Sequence, residues 1–186
     1  MSGRRFRTAR SSALGIAVVA VALVAVLATR PPATMVMADS PLVGKPAPPI
    51  VATSFYPRTG STVSLSSMRG RWVLVNFFAS WCDACRQEEP QLEQFLYARP
   101  GGLRTDVLGV LFGDTESDGR SLQATEGATW PSVVDSGGSI ASDYGVGSLP
   151  RSYLVSPAGQ VVASIEGAVT SSQLVGWIEQ EQGRRM

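Results

Sequence analysis

The segment Trp72–Ala79 (WVLVNFFA) is apolar except for Asn76, and it runs almost directly into the pair Cys82-Asp83-Ala84-Cys85. An apolar run of this length without alternation suits a strand covered on both faces. A helix is expected next, over Asp83–Arg99, with Leu92, Phe95 and Leu96 at helical spacing and Pro100-Gly101-Gly102 as its stop. DVLGVLF (Asp106–Phe112) predicts a second buried strand, and PSVVD (Pro131–Asp135) a short one. Short helices are expected at Ser117–Glu126 and in SIASDYGV. Two hairpins complete the pattern. IVATSFY and STVSL flank PRTG, and SYLVS and QVVASI flank PAG. Thr170-Ser171-Ser172 caps a last helix over Leu174–Gln180. The sum is an α/β fold, a central mixed β-sheet flanked by helices, with an N-terminal β-hairpin.

The first 30 residues read as an address. RRFRTAR precedes the 16-residue apolar run Ala13–Ala28, which Arg30 and Pro31-Pro32 end. A basic start before an apolar run keeps the N-terminus in the cytoplasm and sends the rest across the membrane. The run is shorter than the ~20 residues of a comfortable span, so residues 1–30 are expected to be a signal peptide or a single transmembrane anchor. Residues 31–41, within a stretch rich in Pro, Ala and Ser, are expected to be an extracytoplasmic linker, with the folded domain at 42–186. The domain then lies where disulfides persist, at the cell membrane, or is secreted if the segment is cleaved. Net charge is +1, so no basic field invites nucleic acid, and histidine is absent, which removes the commonest general base and metal ligand.

The Cys-X-X-Cys pair has few uses left. Structural zinc needs four Cys or His ligands and the chain has two Cys and no His. Haem attachment needs His after the second Cys, where Arg86 stands. A peroxidase-type cysteine would stand alone behind a Thr or Ser three residues upstream, where Ala79 stands instead. Two buried structural cysteines are the bland alternative. A redox switch fits better. Cys82 falls at a helix N-terminus, where free N–H groups favour a thiolate, and Cys85 lies one turn on, where it can attack a mixed disulfide formed at Cys82.

WCDAC after VLVNFFAS resembles the active site of the thioredoxin superfamily, and more narrowly the extracytoplasmic TlpA/ResA-like thiol–disulfide oxidoreductases. The resemblance runs from Leu42 to Gln182 through GKPAPP, LSSMRGRWVLVNFFASWCDACRQEEP, YGVGSLPRSYLVSPAGQVV and EGAVT. It implies a thioredoxin-like fold, a Cys82–Cys85 disulfide and no cofactor or metal. It implies catalytic roles for Cys82, Cys85, Glu88 and Pro150, the last as a cis proline facing the disulfide. Trp81, Leu149 and Arg151 would contact substrate, Leu149 through a backbone free to pair with a client strand. Glu88, three residues after Cys85, would relay protons, or with Glu89 only stabilise the helix start. Asn76 stands where thioredoxins carry a buried Asp.

The expected activity is reduction of client disulfides, for example in cytochrome c maturation or copper-site assembly, with a membrane electron-transfer protein as reductant. A disulfide-forming oxidant and a Cu(I)-binding module are the alternatives. Arg151 near Cys82 would favour its thiolate and Asp83 would disfavour it. Trp72, Trp130 and Trp177 are expected in the core, and Thr115–Gly119 in a solvated loop.

Overall fold

The computed structural model describes residues 36–37 and 39–184, all within the unit Met35–Met186. The expected signal or anchor segment, residues 1–30, lies outside the described residues. Among the described residues no helix is long and apolar enough to cross a membrane.

The strands are β1 (Val36–Met37), β2 (Val51–Tyr56), β3 (Thr62–Ser64), β4 (Trp72–Phe78), β5 (Thr105–Phe112), β6 (Ser132–Asp135), β7 (Arg151–Val155) and β8 (Val161–Glu166). They form one sheet in the order β1-β8-β7-β4-β5-β6-β2-β3. The pairs β4–β5 and β5–β6 are parallel, while β7, β8 and β2 pair antiparallel with their neighbours. Both expected hairpins are present. The second turns at Gly159, whose φ of 81° only glycine adopts without strain. The sheet also takes in Val36–Met37, which pair with Ile165 and Glu166, inside the stretch expected to be a linker.

Every residue of β4 is buried, because helices cover both faces of the sheet. The helices are α1 (Asp83–Tyr97), α2 (Glu116–Glu126), α3 (Ser139–Tyr144) and α4 (Ser171–Gly183). Leu92 and Phe95 of α1 and Leu174 and Ile178 of α4 pack with Trp72, Leu74, Leu154 and Ile165 on one face. Ala141 and Tyr144 of α3 pack with Val73, Val75, Phe77 and Tyr153 on the other. Each such large apolar side chain contributes about 1.5–3 kcal/mol when fully buried. Trp72 and Trp130 are core residues as expected, and Trp177 is half-buried at the edge of the α4 cluster. Thr115–Gly119 is not a solvated loop. Thr115 caps α2 by accepting from the Asp118 N–H, a polar start that a sequence rich in Asp, Ser and Thr disguises.

The candidate redox site

The parallel run of β4 and β5 brings their carboxyl ends together, and β7, antiparallel to β4, begins at the same end. Cys82 is the N-cap of α1, with extended backbone (φ −88°, ψ 104°). Its sulfur accepts the Cys85 N–H at 3.2 Å and is bonded to the Cys85 sulfur, with the two Cα atoms 5.3 Å apart. Both cysteines are buried in this disulfide state, 6% and 3% exposed. They pack with Phe55, Phe78, Ala79, Leu111 and Leu122, and Leu149 lies against the same cluster.

The turn before Cys82 is strapped to the loop after β5. The Ser80 N–H donates to Asp114 Oδ2 at 2.6 Å, and the Trp81 indole N–H donates to the Gly113 carbonyl at 3.1 Å. Burial works to raise the Asp114 carboxyl, but hydrogen bonds from Ser80 and Thr115 outweigh it and hold the group below its usual range. Trp81 is 62% exposed, so its ring forms a surface beside the pair rather than packing within the protein. Leu149–Pro150 is a cis peptide, and Pro150 is buried at the start of β7.

Behind the cysteines lies a buried polar cluster. Asn76 on β4 donates through one nitrogen to Glu88 Oε1 at 2.6 Å and to Ser152 Oγ at 2.9 Å. Glu88 is 1% exposed and its Oε2 has no hydrogen-bond partner. Burial pushes its carboxyl well above the ordinary range and the Glu89 charge adds to this, while the Val169 backbone and Asn76 oppose it. Burial thus favours the protonated form of Glu88, one helical turn from Cys85. Glu89 is 3% exposed and is pushed up to about 8 by burial and by the charges of Glu126 and Glu93. Both glutamates are thus buried side chains of α1. Cys85, Glu88, Glu89, Leu92 and Phe95 form the buried stripe of α1, and that spacing is visible in the sequence.

Arg151 does not reach Cys82. Its neighbour Ser152 shares the α1 face with Asn76 and Glu88, and a strand turns successive side chains to opposite faces. Arg151 accordingly lies on the α3 face with Tyr153, its guanidinium bound to Glu166 Oε2 (3.1 Å), Ser164 Oγ (2.8 Å) and Tyr153 OH (3.3 Å). The positive charge expected beside the thiolate is paired elsewhere. Asp83 remains, exposed, in the first turn of α1, and Arg86, also on that turn, donates through Nε and Nη2 to the Ser80 carbonyl. Sequence reasoning missed Ser152 and Asp114; counting by twos from Pro150 would have found the first.

Comparison with known proteins agrees with this arrangement. The AhpC/TSA family pattern matches residues 43–164. A thiol-disulfide oxidoreductase ResA of Bacillus thuringiensis (strain Al Hakam) is 31% identical over 137 residues, 74% of this chain and 77% of the relative. Among solved structures, one described as a thiol:disulfide interchange protein DsbE from Chlorobium tepidum superposes with a TM-score of 0.62 at 27% identity, covering 72% of this chain and 95% of that one. StoA from Bacillus subtilis superposes with a TM-score of 0.56 at 26% identity, covering 71% and 98%.

Proposed function

This chain belongs to the AhpC/TSA family and is a thioredoxin-fold protein thiol–disulfide oxidoreductase of the ResA, DsbE and StoA type, and from that premise we propose that it reduces disulfides in client proteins outside the cytoplasm. In this reading the Cys82 thiolate attacks a client disulfide, forming a mixed disulfide and releasing one client thiolate, which takes up a proton. The Cys85 thiolate then attacks the Cys82 sulfur, the mixed disulfide breaks, and the second client thiol leaves. The client gains two electrons and two protons, and the Cys82–Cys85 pair becomes a disulfide. A membrane electron-transfer protein returns the electrons. Residues 1–30 hold the domain at the membrane as an anchor, or release it if cleaved.

The chemistry of each step falls to this chain's own groups. The Cys85 N–H and the open first turn of α1 stabilise the Cys82 thiolate. The buried Glu88 carboxyl, held by Asn76, supplies a proton in its acid form and accepts one as its carboxylate as Cys85 opens and closes. Trp81 and the Leu149 backbone before the cis bond receive the client. Haem-binding motifs of apocytochromes and copper-site assembly proteins are the client classes that fit a membrane-proximal reductant.

The placement of Arg151 supports the direction of electron flow. A strong oxidant needs a very stable thiolate. Arg151 is paired with Glu166 on the other face, so it does not offset Asp83, whose charge opposes thiolate formation at its neighbour. The test is the reduction potential of the pair, expected below about −200 mV, with a value near −120 mV establishing the oxidant instead. The Cys85→Ala variant should trap the client on Cys82, and its failure to trap any mixed disulfide would refute the client-exchange reading.

A further inference from the structure

Ser148 and Arg151 flank the Leu149–Pro150 pair, and one carboxylate holds both. Glu166 Oε1 accepts from Ser148 Oγ at 2.7 Å, and Glu166 Oε2 accepts from Arg151 Nη1 at 3.1 Å. The next N–H in the chain, that of Gly167, donates to the Pro150 carbonyl at 3.0 Å. Arg151 is only 8% exposed and cannot swing freely, because Ser164 Oγ and Tyr153 OH fix the rest of its guanidinium. The Tyr153 hydroxyl in turn donates to the Tyr144 carbonyl at the end of α3. The loop before β7 is therefore fastened from the α3 side of the sheet, while Leu149 rests against the cysteine cluster.

The Glu166 side chain is 52% exposed. An ion pair so open to water adds little stability, within about 1 kcal/mol. Its two oxygens do something a single surface pair cannot: they fix the spacing of two residues that bracket a dipeptide. We infer that Glu166 is a positioning residue for the client-binding loop, setting through Ser148 and Arg151 the place of the Leu149 backbone that pairs with an extended client strand. This rests on the client-pairing role proposed above for Leu149. Backbone pairing is directional, so a small displacement of Leu149 weakens capture of a polypeptide disulfide. A disulfide with no peptide groups has nothing to pair and is insensitive to the same displacement.

The experiment compares reduction of insulin with reduction of hydroxyethyl disulfide, a small disulfide without peptide groups, by the reduced full-length protein. Glu166→Ala should lower kcat/KM for insulin about tenfold relative to hydroxyethyl disulfide, mostly through KM. Glu166→Gln, which keeps one acceptor, should recover part of the loss. Ser148→Ala removes one tie without uncovering Arg151, and should show the same split more weakly even if Glu166→Ala is poorly folded. Equal losses on both substrates, or no loss in either variant, would overturn the inference. If the unaltered protein reduces insulin and the variants show no split, only the positioning role falls. If the unaltered protein does not reduce insulin and Cys85→Ala traps no mixed disulfide, the client-exchange reading falls and this role with it.

Discussion

Replacing Glu89 by methionine should stabilise the protein, and the gain should grow with pH. Glu89 is buried in the α1 stripe, its Oε2 lacks a hydrogen-bond partner, and its carboxyl titrates near 8 instead of 4.5. A raised carboxyl pKa means the folded state binds a proton more tightly than the unfolded chain does. Below pH 4.5 both states are protonated and the residue contributes no penalty. As pH rises from 4.5 towards 8, the unfolded chain loses its proton first and stability falls, levelling off above 8. At pH 7 the penalty is about 2.5 pH units at ~1.36 kcal/mol each, or roughly 3 kcal/mol. With the side chain only 3% exposed, solvent screening offers little relief. Methionine has similar length, favours helix and adds apolar contact, so it removes the penalty without a cavity. Guanidinium unfolding of the oxidised proteins at pH 4.5, 7 and 8.5 would measure it. Glu88 titrates in both proteins, so the informative quantity is the difference between the two stability curves. That difference should be small at pH 4.5 and about 3 kcal/mol at pH 7. A difference independent of pH would refute the reasoning, since packing alone would then explain the change.

Glu88→Gln removes the titratable carboxyl behind Cys85 but keeps an acceptor for Asn76. Client reduction should slow by about tenfold or more, and the pH–rate profile should lose an ionisation above the usual carboxylate range. Asn76→Asp would set a second carboxyl against Glu88 in a buried site. It should destabilise the fold by about 3 kcal/mol at pH 8 and by less at pH 5, where both groups can hold protons, as denaturant titration at the two pH values would show. Thr170→Ala breaks the capping box with Gln173 at the start of α4 and should lower stability by about 1 kcal/mol with little effect on the reduction potential.

The course of the chain was legible wherever one local rule decided it. The Trp72–Phe78 run, the PAG turn and the Thr170 cap each act over a few residues, and each stands where those rules put it. The two-residue strand β1 was not legible, because Val36 and Met37 gain a sheet partner only from β8, far along the chain. The site divides in the same way. Cys82 and Cys85 are specified by their spacing, but the electrostatics around them are set by which face each charge takes. Arg151 and Ser152 are adjacent in sequence and point to opposite layers. One joins Glu166 and the other joins Asn76 and Glu88. Reading Arg151 as a neighbour of Cys82 took proximity to Pro150 for proximity in space. For Glu88 and Glu89 charge alone would suggest solvent, while their places in the α1 stripe put them inside. Where charge and periodicity disagree on a helix that begins at a redox pair, periodicity fixes the position and the carboxyl yields by holding its proton. The acid that the proposed exchange requires is thus a consequence of packing Glu88 where an apolar residue would otherwise stand.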